Sequence, residues 1–279
     1  MKKSNNYVGI DISKLTFDVA ISGSDDKYKY FKFANNHEGF MMFLEHLKVS
    51  ESICVMEASG PYYLKLATFL SEQAIDVCVI NPLVIRRFSQ MRMSRAKTDK
   101  KDAMLIAEYG KTENPGIWKP EANHVLELKQ MQAYLEQLNK NRTGFVVQKE
   151  AFNQNPIKSE ALEKSINSVL ETIEQEMKNI EKKMELIIKT HHQEMFSQLK
   201  SIPGMGTKTS LLLIVISGGF SKFNNHKQLA SYVGISPRIF ESGTSVKGRS
   251  KICKMGMSKI RALLYMCAWS AKRCNKSCK

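Results

Sequence analysis

Two aspartates stand three residues apart inside a run of cations: Arg95-Ala96-Lys97-Thr98-Asp99-Lys100-Lys101-Asp102-Ala103. If Asp99 enters a helix, the i, i+3 spacing places both carboxylates on one face. Ala103 to Tyr109 are good helix formers, with Leu105 and Ile106 as apolar positions, so the sequence predicts that helix. Paired acids among cations fit two roles. They bind a divalent metal beside a phosphate backbone, or they pair with their own basic neighbours. The metal reading requires further carboxylates elsewhere in the chain.

The elements upstream supply them. Tyr7 to Ser13 reads as a strand closing on Asp11, and Thr16 to Ile21 as a second strand. After the turn cluster Gly23-Ser24-Asp25-Asp26, Tyr28 to Phe33 is a third β-prone run, so the first three strands predict an antiparallel meander. The rhythm then changes. Glu38 to Leu47 has helical spacing, Ser52 to Glu57 is a buried-type strand ending on an acid, and Pro61 starts a helix through Leu70. Ile75 to Ile80 is another strand and Leu83 to Phe88 begins another helix, giving an α/β layered domain with a mixed sheet. Asp11 and Glu57 close strands at the carboxyl edge where such sheets present ligands. With Asp99 and Asp102 they form a four-oxygen set suited to Mg²⁺ or Mn²⁺. Two such ions about 4 Å apart stabilise the attacking and leaving oxygens of a phosphodiester. Asp11 and Glu57 also fit as turn or cap residues, Glu57 especially, because Ala58-Ser59-Gly60-Pro61 follows it.

Three motifs carry a specific resemblance: Gly9-Ile10-Asp11-Ile12-Ser13-Lys14, then Met56-Glu57-Ala58-Ser59-Gly60, then Lys97-Thr98-Asp99-Lys100-Lys101-Asp102-Ala103. In this order and spacing they resemble the RuvC-like, RNase H-fold domain of the DEDD-type insertion-sequence transposases related to the Piv invertase, a family of bridge-RNA-guided recombinases. The resemblance implies that Asp11, Glu57, Asp99 and Asp102 are both the catalytic acids and the metal ligands. It also implies a structured, non-coding guide RNA, donor and target DNA as partners, and a homo-oligomer, dimer or tetramer.

Net charge is +15, and its placement is uneven. From Ser197 to Lys279 there are 15 Lys and Arg against one acid, Glu241, whereas Met1 to Phe196 nearly balance. The last 83 residues are therefore expected to lie against a polyanion. No apolar run has the length of a spanning helix and no signal peptide precedes Tyr7, so nucleic acid rather than a membrane is the expected partner. The six cysteines form no CxxC pair, so structural zinc is not expected and an intracellular chain with reduced thiols is. The family resemblance implies a bacterial cytoplasm and association with the nucleoid.

Gly110 to Asn123 reads as a connector, followed by a helix with Leu128, Met131, Leu135, Leu138 and Phe145 as apolar positions. After Asn153-Gln154-Asn155-Pro156, a second helix repeats Ile166, Leu170, Ile173, Met177, Ile180, Met184 and Ile187 at coiled-coil spacing. These helices form a hairpin within the chain or pair between subunits; the family resemblance favours oligomerisation. The expected domains are thus 1–112 (RuvC-like, α/β), 113–196 (helical coiled coil) and 197–279 (basic, mostly α).

In the basic domain, Ile202-Pro203-Gly204-Met205-Gly206-Thr207-Lys208 reads as a helix-hairpin-helix turn, with Gly204, Gly206 and Lys208 placed for a phosphate. Leu211 to Ile216 is a buried helix. Ser242-Gly243 lies in a loop flanked by cations with no His beside it, so activation must come from metal-bound acids, from cations or from substrate. By its residues alone Ser242 is a loop serine. The segment also resembles the family's second domain, in which a Ser-Gly serine attacks DNA, and that implies Ser242 as nucleophile with Ser245 the alternative. Lys247, Arg249, Lys251, Lys254, Lys259 and Arg261, with Arg95 and Lys97 near the acids, are candidate phosphate contacts. The family pattern continues past the position of Arg273 with further helical sequence. A chain ending at Lys279 is expected to leave Leu263, Leu264, Tyr265 and Trp269 short of packing partners.

Three functions from different classes follow: an RNA-guided DNA recombinase, a RuvC-like nuclease that hydrolyses with water, and a nucleic-acid binder without activity. All three share one expectation. Affinity for RNA and DNA should fall steeply with salt, by roughly 0.7 to 0.9 log units per log unit of salt for each phosphate neutralised. Arg249→Ala and Lys254→Ala should each flatten the slope by about one phosphate contact, read by filter binding across a salt series.

Overall fold

The computed structural model describes residues 6–23, 27–49, 51–93, 98–239, 241–242 and 246–276, and the chain divides into two compact units, 1–120 and 121–279. In the first unit, β1 (Asn6–Ile12), β2 (Thr16–Ser22) and β3 (Tyr28–Ala34) form the expected antiparallel meander. After α1 (His37–Leu44), β4 (Ser52–Glu57) pairs parallel with β1, and after α2 (Leu64–Glu72), β5 (Asp76–Ile80) pairs parallel with β4. The sheet order is β3-β2-β1-β4-β5. Parallel neighbours need crossovers, and α1 and α2 provide them. Then come α3 (Pro82–Met91) and α4 (Asp99–Glu113).

Strand alternation sorts the side chains onto two faces. Val8, Ile10, Cys54 and Met56 pack with Phe40 and Phe43 of α1 and with Leu66 and Leu70 of α2. Val55, Cys78 and Ile80 point the other way, against Ile85 of α3 and Ile106 of α4. The sheet is therefore covered on both faces, which is why β1 and β4 read as near-continuous apolar runs.

Two sequence expectations need correction. Pro61 opens a turn rather than the helix: Gly60 has φ +63°, the Leu64 amide donates to the Pro61 carbonyl, and α2 begins at Leu64. Gly110 does not begin the connector, because α4 runs on to Glu113 and ends at a left-handed Asn114. The helix passes through Gly110 because a Cβ there would meet Val55 Cγ2 at 2.6 Å and Tyr7 Cδ1 at 2.8 Å, so a glycine lets the helix lie flat on the sheet.

The second unit opens with two long helices, α5 (Asn123–Asn153) and α6 (Glu160–Ser201). They pack antiparallel within one chain: Lys149 bonds Asn167 at 2.6 Å, Arg142 bonds Glu174 at 2.8 Å, and His124 meets His192 at 3.2 Å. The seam turns inward, with Ile166, Ile173 and Met184 buried. Its lower end, Met184, Ile188 and Phe196 with Leu128 and Leu135, packs on Leu211, Ile214 and Val215 of α7 (Thr207–Ser217). The basic segment thus shares a core with the hairpin. Beyond α8 (His226–Val233) lie two short antiparallel pairs, β6 (Pro237–Arg238) with β9 (Lys251–Ile252) and β7 (Glu241–Ser242) with β8 (Val246–Lys247), then α9 (Ser258–Cys274). Among the described residues, no helix is long and apolar enough to cross a membrane.

Gly9 makes the closest approach of sheet to helix: a Cβ on it would lie 2.0 Å from the Ala103 carbonyl oxygen and 2.3 Å from the Ala107 amide nitrogen. Backbone cannot give way as a side chain can. Gly9→Ala should destabilise the chain by about 3 kcal/mol, at the upper end of ordinary overpacking. Gly144→Ala, in open space inside α5, should instead stabilise it by about 0.5–1 kcal/mol. Urea unfolding of both variants checks the pair.

Candidate functional site

The acids gather where β1, β4 and α4 meet. Ile10 pairs with Met56 in the parallel register, so Asp11 and Glu57 are the next neighbours along their strands. Both share the side-chain parity of Gly9 and Val55, the face that α4 covers. Thr98 caps α4, its hydroxyl accepting from the Lys101 amide at 3.3 Å, and Asp99 and Asp102 occupy the first turn. Acids there also face the positive end of the helix dipole. Glu57 accepts a 2.7 Å hydrogen bond from Ser59 Oγ.

Asp11 registers the crowding. Partial burial first, then the charges of Asp102, Asp99, Glu57 and Asp18, push its carboxyl up to about 6. Among the described residues, no three His, Cys, Asp or Glu side chains converge closely enough to enclose an ion. The acids share a field rather than a closed shell. Their donor chemistry nevertheless fits a divalent cation: hard carboxylate oxygens whose mutual repulsion a cation relieves.

Sequence reasoning missed one member. Asp18 of β2 stands directly opposite Asp11 in the antiparallel register and is 3% exposed. It accepts from the Tyr30 hydroxyl, which pushes that phenol up to about 12, and lies 3.5 Å from Lys32 Nζ. Lys32 Nζ is also 3.9 Å from Asp99. The available signal was an acid at the polar parity of a strand whose other parity, Phe17 and Val19, is core.

The candidate phosphate contacts separate by environment. Arg95 and Lys97 lie outside the described residues, as do Gly243 and Ser245. Ser242 is in β7, opposite Val246, and Lys247 is in β8. Arg249, Lys251 and Lys254 are exposed. Gly206 precedes the first residue of α7, with open space around it and no side-chain cap. Gly204 has a packing role: at φ +97°, a Cβ would meet the Cys267 carbonyl oxygen of α9 at 2.7 Å. Three cations have partners within the unit. Lys208 pairs with Glu181 at 2.7 Å, Lys259 with Glu136 at 3.2 Å, and half-buried Arg261 donates to the Val233 carbonyl at 3.0 Å. Arg261 thus ties α8 to α9.

Clustered acids at the edge of a mixed α/β sheet, carried on one chain with a strongly basic helical unit, make up a polynucleotide-processing enzyme. Comparison with known proteins gives the family. Residues 8–152 match the DEDD transposase profile of IS110 elements, and residues 197–279 match the transposase IS116/IS110/IS902 family. The pilin gene-inverting protein of Moraxella bovis is 34% identical over 284 residues, covering 94% of this chain and 82% of that protein. Its counterpart in Moraxella lacunata matches to the same extent. The 43.6 kDa protein of insertion element IS110 from Streptomyces coelicolor is 31% identical over 84 residues, 30% of this chain and 20% of its own. The chain belongs to the IS110 family of transposases. It is a DNA transposase/recombinase, and the DEDD family implies dependence on a divalent metal.

The raised carboxyl makes a signed expectation. Asp11 holds its proton more tightly folded than unfolded, so its ionisation costs the fold nothing below about pH 4, an increasing amount up to about pH 6, and a constant amount above. Asp11→Asn should therefore raise the stability of the metal-free chain at pH 7 by about 1 kcal/mol, after allowing for solvent screening of a half-exposed group. The gain should vanish near pH 4. Thermal unfolding of both proteins in chelator across this range checks it.

Proposed function

We propose that this transposase breaks and rejoins DNA with Asp11, Glu57, Asp99 and Asp102 as ligands of a divalent cation, Mg²⁺ or Mn²⁺, and Ser242 as nucleophile. The observation that carries the reading is geometric: the parallel register sets Asp11 beside Glu57, and the first turn of α4 brings Asp99 and Asp102 into the same field. The sheet order β3-β2-β1-β4-β5, with acids closing β1 and β4, supports an RNase H-like, RuvC-like first unit. Asp11, Glu57, Asp99 and Asp102 would hold the cation, which would supply Lewis-acid stabilisation of charge developing at the phosphodiester.

The chain's own residues do the rest. Glu57 is held by Ser59, and the capped start of α4 fixes the backbone positions of Asp99 and Asp102 beside the strand ends. Ser242 Oγ attacks phosphorus: the serine O–P bond forms, a P–O bond to the sugar breaks, and the hydroxyl proton ends on the departing sugar oxygen. The covalent ester conserves the bond energy for rejoining. Exposed Arg249, Lys251 and Lys254 hold phosphates, with Gly206 offering backbone N–H groups at the start of α7. Lys247, Arg95 and Lys97 belong to the same proposed set. Lys208 and Lys259 are the weaker members, since each must leave a carboxylate to reach a phosphate.

The excess of cations after Ser197 supports two polyanionic partners, DNA and a structured guide RNA, and a nucleoid-associated location in the cytoplasm. The likeness to pilin gene-inverting proteins supports site-specific recombination as the outcome. Assembly into a homo-oligomer would use outward positions of the hairpin, because the heptad seam is spent within the chain.

The test is a denaturing gel after incubation with labelled DNA, guide RNA and Mg²⁺. The native chain should leave DNA attached to protein, and Ser242→Ala and Asp102→Asn should each lose at least 100-fold of that adduct, the order set by removing one member of a catalytic group. Free DNA ends without adduct would instead mean hydrolysis by water, and neither product would mean a binder alone. Transfer of the adduct's dependence to Ser245 would move the nucleophile three residues along. Mixing the two inactive variants reads whether acids and serine must reside on one chain.

A further inference from the structure

A neutral ion pair is built into the rim of the acid cluster, and its two halves act on the cluster in opposite senses. Asp18 is 3% exposed and faces Asp11 across the β1–β2 ladder. Its carboxylate is held by the Tyr30 hydroxyl and by Lys32, its direct cross-strand partner on β3. Lys32 is consequently not a free surface lysine. One end of its pairing is a buried anchor, and its ammonium is fixed where it also reaches Asp99, the first acid of α4.

We propose that the Asp18–Lys32 pair sets the affinity of the acid cluster for its divalent cation, with Lys32 as resident counter-charge to Asp99 and Asp18 as the anchor that keeps it there. Without an ion, the ammonium offsets part of the repulsion among the acids and holds Asp99 toward the sheet. An entering cation meets that ammonium as a like charge and must take Asp99 from it. Asp18 contributes attraction but, bonded to Tyr30 and Lys32, does not need to become a ligand. Both are positioning residues. The proposal rests on the assignment of the four acids as the metal site.

The two halves give opposite signs. Removing the ammonium in Lys32→Met leaves the cluster one charge more negative, so cation affinity should rise about five- to tenfold, while the exposed Lys32–Asp99 contact it sacrifices is worth much less. Asp18→Asn keeps the shape and an acceptor for Tyr30 but frees Lys32 to serve Asp99 alone, so affinity should fall by about the same factor. The double variant removes a neutral pair and should return to within about twofold of the native value, and Lys32→Arg should stay there as well. A merely structural role would weaken binding in every variant.

The measurement is Mn²⁺ titration of the full chain, with free ion read by electron paramagnetic resonance and folding checked by circular dichroism. Asp102→Asn is run beside it. Native binding indifferent to Asp102→Asn would overturn the four-acid assignment itself. Native binding that Asp102→Asn weakens, together with single variants that shift in the same direction or not at all, would overturn this proposal and leave that assignment standing. Should Lys32→Met fail to fold around an unpaired Asp18, the double variant and Asp18→Asn still decide: a double variant as weak as Asp18→Asn counts against the pair.

Discussion

The backbone contact between β1 and α4 is the constraint from which the candidate site follows. Gly9 carries no side chain, and Ala103 and Ala107 carry the smallest ones, so a helix lies directly on the strand. Gly110 adds a second close approach, against the side chains of Tyr7 on β1 and Val55 on β4. A helix pinned at two places along its length cannot slide or roll without steric conflict. Its first turn therefore has a fixed position, and that turn carries Asp99 and Asp102. The carboxylate geometry is in this sense a by-product of glycine placement in the core.

Holding like charges together costs free energy, and the first unit offsets it away from the acids. Phe17 is surrounded by Phe33, Phe40 and Phe43 at ring separations of 5.4–6.0 Å, on the face of the sheet opposite α4. Burial of such side chains contributes about 1.5–3 kcal/mol each, so a few of them outweigh a frustrated acid cluster. The frustration is then available to chemistry: a site that is repulsive when empty binds a cation more strongly than a relaxed one.

The second unit solves a different problem, the display of many positive charges on one small body. Its core is supplied by the long hairpin and by α7, in which every residue from Thr209 to Ser217 is buried. Acids of the hairpin, Glu136 and Glu181, neutralise Lys259 and Lys208. Arg249, Lys251 and Lys254, all exposed, lie on the short-stranded segment beyond it.

Much of this was legible in the residues. Asp11 and Glu57 at strand ends, the helix beginning at Asp99 and the seam from Ile166 to Ile187 are local patterns, because strand and helix periodicity depend only on neighbours along the chain. What the sequence by itself could not decide involves separations of many residues. Gly110 looked like a breaker, and only contact with Val55 and Tyr7 makes it a packing residue inside a helix. Arg261 looked like a free cation until a half-buried position and the Val233 carbonyl gave it a partner. The seam could not say whether its complement was a second subunit or α5, since an apolar stripe specifies a partner's chemistry and not its chain. Asp18 was visible only as an acid in a strand. That it faces Asp11 and anchors Lys32 was decided by sheet register, which brings distant residues together through hydrogen bonds that no local pattern encodes.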